Sequence, residues 1–369
     1  MTAKQHTDSK YAGGTTRHLS QMGWTSHFQA QLANHGSNDW FPARVIGVRK
    51  NAFRVGNGKR EWSATAAGRI KHRPGCRYPV AGDWVLMADT VICEVLARKN
   101  SLSRGAAGAH GRQNEQARKE QVIAANLDSV FIVCGLDRDF NLRRIERYVT
   151  LIYNCGLNPV IVLTKADLHE DSAPFVTEAE RVALGVPVHL VSARDNSGLV
   201  PLETYLSPGQ TAAMVGSSGA GKSTLVNRLY GETIRAVESI SSSVGKGKHT
   251  TTARELIVMP QGGMVIDNPG IREIAFWDDD GGIGSTFPEI EQYAVKCRFS
   301  DCSHTHEPGC RVLQAASEGE LSPGRLESYR KMRRELAYLA GRKHKSADRV
   351  EKERWKEVAL KVKAMKKKR

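Results

Sequence analysis

The sequence predicts a three-part fold: a small closed β-barrel, a doubly wound α/β domain, and a C-terminal helical region organised around a metal. Three observations predict it. Five short strand patterns separated by turn signals crowd into residues 41–97. From Leu127 onward, buried-strand runs alternate with helical periodicity. Three cysteines and a histidine then fall within 14 residues, as Cys297-x4-Cys302-x-His304-x5-Cys310.

Length and charge bound the answer. A chain of 369 residues allows two or three domains. The formal net charge is +15, which points to an anionic partner, nucleic acid or a membrane surface. Lys331–Arg369 holds 16 Lys or Arg against 5 Asp or Glu, a net +11 in a helix-forming tail ending Lys366-Lys-Lys-Arg369. Clustered cations of this kind gain affinity by releasing counterions from a polyanion. Apolar runs such as Val130–Cys134 are far shorter than the roughly 18 residues of a membrane helix, which rules out membrane spanning, and no membrane partner is expected. The N-terminal residues show no apolar leader pattern, and seven cysteines, an odd number, suit a reducing cytoplasm rather than a disulfide framework.

Residues 1–38 are polar and rich in Gly, Ser and Thr and read as a flexible extension, with Trp24 and Phe28 as candidate docking groups. The strands that follow are Ala43–Val48, Phe53–Val55, Trp62–Thr65, Trp84–Met87 and Val91–Leu96, with turns at Gly56-Asn-Gly58 and Ala81-Gly-Asp83. Five strands in under 60 residues fit an OB-like barrel, with an SH3-like barrel as the alternative. The Gly-rich connector that follows carries Arg98, Lys99, Arg104, Arg112, Arg118 and Lys119, as a linker or a nucleic-acid contact. In the α/β region the strands are Val130–Cys134, Pro159–Leu163, Pro187–Val191 and Thr211–Val215, with a hairpin of Glu255–Met259 and Met264–Asp267. Asn141 caps a helix whose apolar face is Leu142, Ile145, Val149 and Ile152. In the tail, Gly341–Ala347 reads as a break between two helices.

Gly216-Ser217-Ser218-Gly219-Ala220-Gly221-Lys222-Ser223-Thr224 follows a strand and opens a helix, the context a phosphate loop requires. Its backbone N–H groups wrap phosphates, Lys222 reaches the β- and γ-phosphates, and Ser223 offers a hydroxyl to Mg2+. Thr164-Lys165-Ala166-Asp167 ends a buried strand and resembles the N-K-x-D guanine signature of GTPases. A carboxylate at Asp167 can accept from guanine N1–H and the exocyclic amine, a pair adenine lacks. Thr164 replaces the usual bracing Asn. Val191-Ser192-Ala193 resembles the second guanine element, whose backbone N–H meets the base oxygen. Asp267-Asn-Pro-Gly270 matches D-x-x-G: Asp267 would hold Mg2+ through water and the Gly270 N–H would sense the γ-phosphate. Lys248-His249-Thr250-Thr251-Thr252 occupies the place of the first switch, and one of its threonines would complete the Mg2+ shell. These motifs occur in permuted order, base reader first and phosphate loop after. An ATPase or kinase is disfavoured by Asp167. An RNA-binding protein that uses nucleotide only as a conformational lock remains the competing class.

The Cys3His set supplies a full tetrahedral shell with no open position, hence one structural Zn2+ per chain, with His306 as an alternative imidazole. The expected organisation is thus an extension over 1–38, a barrel over 39–100 and a basic connector over 101–125. A permuted GTPase domain follows over 126–280, then a zinc-binding domain over 281–340 and a basic tail over 341–369.

Together the barrel, the permuted motif order, K-H-T-T-T, D-N-P-G and the Cys/His spacing resemble the small ribosomal subunit biogenesis GTPases of the RsgA (YjeQ) family, over about residues 41–340. The resemblance implies a factor that clamps the maturing small subunit and its rRNA and assists late maturation. It further implies GTP hydrolysis stimulated by the subunit, with release of the factor as GDP forms. Thr164 is tolerated within that family. Ile271 stands where many GTPases place the water-orienting glutamine. The resemblance assigns that catalytic role to His249. A monomer in the cytoplasm is expected.

Overall fold

The computed structural model describes residues 15–35, 40–49, 52–72, 76–105, 120–233, 254–267 and 282–344. The chain divides into two compact units. One comprises Met1–Leu102, Val122–Tyr148 and Gly156–Glu273; the other comprises Ser103–Gln121, Val149–Cys155 and Ile274–Arg369.

The first unit opens with two helices, α1 (Thr15–Gln21) and α2 (Ser26–Ala33). Over residues 15–35 this corrects the flexible extension expected for 1–38; residues 1–14 and 36–38 lie outside the described residues. Leu19, Met22, Trp24 and Phe28 are all buried. The Trp24 ring meets Trp84 edge-on at 4.7 Å between centroids, and Phe28 lies 5.9 Å from the same ring. Burying one such side chain is worth about 1.5–3 kcal/mol, which outweighs the polar bias of its neighbours.

The barrel follows as β1 (Phe41–Val48), β2 (Phe53–Gly56), β3 (Glu61–Ala66), the short α3 (Gly68–His72), β4 (Trp84–Ala88) and β5 (Val91–Val95). The strand order is β1-β2-β3-β5-β4, and β4 returns to β1 to close the ring. The β3–β5 pair is parallel (Thr65↔Val91, Ala66↔Ile92), while its other pairs are antiparallel. This is the OB-like arrangement, and all five expected strands are present. Ala43, Val45, Phe53, Val55, Val85 and Ile92 fill the interior.

The region expected to be a basic connector begins and ends in two strands, β6 (Ser101–Gly105) and β7 (Glu120–Ala125), which form a separate two-stranded sheet. Residues 106–119, with Arg112, Arg118 and Lys119, lie outside the described residues. Arg98 is not a free cation. Its guanidinium clamps the fully buried Asp83 through two bonds of 2.7 and 2.8 Å. Lys99 lies over the Phe28 ring at 5.6 Å.

The α/β region runs β8 (Ser129–Gly135), α4 (Leu142–Asn154), β9 (Pro159–Thr164), α5 (Ala173–Val182), β10 (Val188–Leu190), a short α6 (Val200–Glu203), β11 (Thr211–Val215), α7 (Lys222–Tyr230), β12 (Arg254–Val258) and β13 (Met264–Asp267). The sheet order is β10-β9-β8-β11-β13-β12. All pairs are parallel except the β12–β13 hairpin. Parallel strands buried on both faces read as continuous apolar runs, and β8, β9 and β11 are buried at every position. Asn141 caps α4 as expected, its Oδ1 accepting from the Arg144 N–H at 3.1 Å. The sheet continues into the barrel: β12 pairs antiparallel with β1 at Gly47↔Glu255 and Val48↔Arg254. Beside this junction the buried Arg44 donates to the Met22, Gly82 and Asn126 carbonyls, and burial pulls its pKa down to about 10.

The second unit includes α8 (Gly282–Thr286), α9 (Pro288–Ala294), α10 (Arg311–Ser317) and α11 (Pro323–His344). Arg325 stacks over Phe287 at 4.1 Å and pairs with Glu289 at 2.7 Å, while the Tyr329 hydroxyl donates to Glu291 at 3.0 Å. The helix break expected from Gly341 is absent as far as His344, because α11 carries through that glycine. A single helical glycine costs only about 1 kcal/mol. The rest of the tail lies outside the described residues. Among the described residues, no helix is long and apolar enough to cross a membrane.

Candidate nucleotide site and metal centre

Strand register brings the nucleotide motifs to one edge of the sheet. Gly135 at the end of β8 pairs with Thr164 at the end of β9, and Met214 near the end of β11 pairs with Asp267 at the end of β13. Ligands of doubly wound sheets bind at this carboxyl edge.

The phosphate loop leaves β11 at Gly216, whose φ is +147°. A Cβ there would sit 2.2 Å from the Val133 carbonyl oxygen, so only glycine lets the loop turn against β8. Gly219 and Gly221 also have positive φ, and Gly221 caps α7. Lys222 folds back over the loop, donating to the Gly216 and Ser217 carbonyls at 2.8 and 2.5 Å. Ser223 and Thr224 lie in the first turn of α7, with Ser218 and Gly219 at the exposed crown of the loop.

Thr164 does the bracing normally assigned to asparagine. Its buried hydroxyl donates to the Ala220 carbonyl at 2.6 Å and so fixes the phosphate loop to the base-reader strand. Lys165 has a left-handed backbone (φ +62°), and its ammonium pairs with Asp137 at 2.6 Å. Burial works against the Asp137 carboxylate, but the Lys165 bond prevails and its pKa is lowered. Ala166 and Asp167 form a 3-10 turn. Asp167 Oδ1 accepts from the Ser192 hydroxyl at 2.8 Å, and the exposed Arg194 lies 3.9 Å from Oδ2. The Ala166 N–H donates to the Val191 carbonyl, which ties the base-reader turn to the Ser192-Ala193 segment. Ser192 therefore orients the carboxylate through its side chain, a contact that the motif's backbone role does not include.

Asp267 is buried at the end of β13 and Ser223 lies in the first turn of α7; a carboxylate and a hydroxyl are hard oxygen donors of the kind Mg2+ takes. His249, Thr250–Thr252, Gly270 and Ile271 lie outside the described residues. Sequence reasoning missed Asp137 and Asp139. Ser217 Oγ donates to Asp139, whose Oδ1 also accepts from Arg144 at 2.6 Å. The available signal was their position just past a buried strand, on the ligand-binding edge.

In the second unit, Cys297, Cys302, His304 and Cys310 place their ligand atoms within 4.8 Å of one another. Cys297 Sγ and Cys310 Sγ are 3.8 Å apart, and His304 Nδ1 lies 3.6 and 3.4 Å from them. A tetrahedral Zn2+ with Zn–S near 2.3 Å and Zn–N near 2.0–2.1 Å requires edges of about 3.8 and 3.6 Å, which the edges among Cys297, His304 and Cys310 match closely, with Cys302 Sγ within 4.8 Å of all three. Burial pulls the His304 pKa down, aided by Arg333, which favours the neutral ring that binds metal. The exposed His306 instead meets the Thr305 hydroxyl at 2.9 Å and lies outside the cluster. Glu307 ties the loop together, accepting from the backbone N–H groups of Ser303, Thr305 and His306.

Comparison with known proteins agrees with this architecture. A family model for the RsgA GTPase matches residues 95–277. A small ribosomal subunit biogenesis GTPase RsgA from Opitutus terrae is 42% identical over 359 residues, covering 92% of this chain and 95% of the relative. One of the same name from Methanosarcina acetivorans is 44% identical, covering 79% of each chain. The crystal structure of YjeQ from Thermotoga maritima superposes with a TM-score of 0.58 at 28% identity, covering 81% of this chain and 99% of that one. YloQ, a circularly permuted GTPase, shares the fold with a TM-score of 0.56 at 23% identity, covering 82% and 97%. With an OB-like barrel, a permuted phosphate-loop sheet and a Cys3His centre in one chain, and relatives above 40% identity matched over most of their length, the chain belongs to the RsgA family of GTPases.

Proposed function

We propose that this GTPase binds the small ribosomal subunit and assists its late maturation, and that the subunit stimulates hydrolysis and is released from the factor as GTP is consumed. The observation that carries the reading is the meeting of base-reader and phosphate-loop motifs, joined by the Thr164–Ala220 bond. Relatives named for small ribosomal subunit biogenesis support the choice of partner.

In this reading Asp167 selects guanine, Lys165 lies along the base and Ser192-Ala193 closes over its oxygen. Gly216–Thr224 cradles the phosphates, Ser223 and Asp267 hold Mg2+, and Gly270 reports the γ-phosphate. The metal neutralises charge on the β- and γ-phosphates when bound. His249 orients the attacking water, since Ile271 cannot. Cys297, Cys302, His304 and Cys310 hold one structural zinc. The working parts are a barrel over 39–100, a GTPase domain over 126–280, a zinc domain over 281–340 and a basic tail over 341–369 that contacts rRNA phosphates. The factor acts as a cytoplasmic monomer. GTP turnover measured with and without purified small subunits tests the reading: a large stimulation is expected, and equal rates would overturn it.

A further inference from the structure

The turn Leu136–Phe140 between β8 and α4 carries no motif, yet its two aspartates reach both halves of the nucleotide site. Asp137 Oδ2 accepts from Lys165 Nζ at 2.6 Å, and its Oδ1 accepts from the Asp139 N–H at 3.0 Å. Asp139 accepts from the Ser217 hydroxyl of the phosphate loop and, through Oδ2, from the Gly135 N–H at 3.2 Å. Arg144 fixes Asp139 in turn, donating to its Oδ1 at 2.6 Å and to its carbonyl, and Arg144 sits in the first turn of α4 under the Asn141 cap. The turn is thus anchored to a helix behind it, with one carboxylate facing each motif.

The Lys165 stem is also guided. A Cβ on Gly135 would lie 3.3 Å from Lys165 Cδ and Cε and 2.9 Å from Asp137 Oδ1, so the bare glycine leaves the channel in which the stem lies. Lys165 combines a left-handed backbone with a long side chain of many rotamers. Both features make a defined position costly unless another group holds it.

We infer that the Asp137–Asp139 turn is a clasp for guanine nucleotide, in which Asp137 positions the base-lining Lys165 and Asp139 positions Ser217 of the phosphate loop. Neither carboxylate touches nucleotide. Both are positioning residues that order the site before ligand arrives, so that binding does not have to meet that ordering cost. The inference rests on the proposed base-reader and phosphate-loop assignments.

Two double-mutant cycles test it, read as equilibrium affinity for fluorescent GDP on the full chain with thermal midpoints recorded alongside. The first uses Asp137→Asn, Lys165→Met and the pair; the second uses Asp139→Asn, Ser217→Ala and the pair. Each Asp→Asn change should weaken GDP by about fivefold, the scale of a partly exposed ion pair or hydrogen bond, with the variant still fully folded at the assay temperature. Each double variant should bind no more weakly than the weaker of its singles. In the first cycle XDP should weaken by the same factor as GDP, because discrimination belongs to Asp167. Parent-like affinity in either Asp→Asn variant, or losses that multiply in either double variant, would overturn the clasp. The base-reader assignment fails separately, if Asp167→Asn leaves the GDP-over-XDP preference unchanged.

Discussion

Replacing Thr164 with valine removes one hydroxyl and almost no volume. In the structure that hydroxyl donates to the Ala220 carbonyl at 2.6 Å, and Ala220 is fully buried. Valine leaves this acceptor without its donor, and an orphaned buried polar group costs about 1–3 kcal/mol. The phosphate loop can recover that energy only by turning the carbonyl elsewhere, which displaces the neighbouring N–H groups meant for phosphate. The tight fit limits other adjustments, since a Cβ on Gly221 would already lie 3.2 Å from Thr164 Oγ1. If the whole cost falls on the binding-competent loop, GDP affinity drops by about 5- to 150-fold. Titration with fluorescent GDP measures this, and Thr164→Ser, which keeps the hydroxyl, should bind more tightly than Thr164→Val. A valine variant with parental affinity and an unchanged thermal midpoint would refute the bracing role.

Asp167→Asn should move preference from GTP towards xanthosine triphosphate, because the amide can donate to the extra base oxygen; a competition assay checks it. Metal analysis should find one zinc per intact chain. Cys310→Ser should lose it and loosen the knot while leaving GDP affinity in place, since the nucleotide sheet has its own core of Phe131, Val162, Met214 and Leu225. His249→Ala should lower subunit-stimulated hydrolysis by about 10²-fold with little change in GTP affinity, in line with loss of a group acting only in the transition state. Single-turnover rates with saturating subunits would expose a bystander histidine as an unchanged rate.

The phosphate loop, the base reader and the metal ligands were legible in the sequence because their chemistry fixes spacing: four ligands of one ion, or one strand–loop–helix joint, must lie close along the chain. The barrel strands were legible because turn residues punctuate them. Contacts between distant segments left no such mark. Trp24 and Phe28 looked like stray aromatics in a polar stretch until Trp84, some 60 residues on, supplied their partner. Arg98 read as a surface cation because nothing local reveals Asp83 beneath it. Glu146 and Thr150 interrupt the apolar face of α4 yet are fully buried, so that face is wider than its Leu-Ile-Val stripe. Asp137 and Asp139 sat in an ordinary polar turn whose meaning depends on which strand ends surround it.

The junction between β1 and β12 also has a bearing on solubility. Without the barrel, β12 would be an outer strand offering unpaired N–H and C=O groups, a template on which other chains can add. Pairing at Gly47↔Glu255 and Val48↔Arg254 occupies the start of that margin, and the barrel behind it closes on itself through β1 and β4. The opposite margin is β10, only three residues long. A nucleotide domain cut out from residue 126 onward would carry the bare margin of β12 into solution. The barrel therefore serves its neighbour as a selvedge, keeping the sheet from recruiting strands from other molecules.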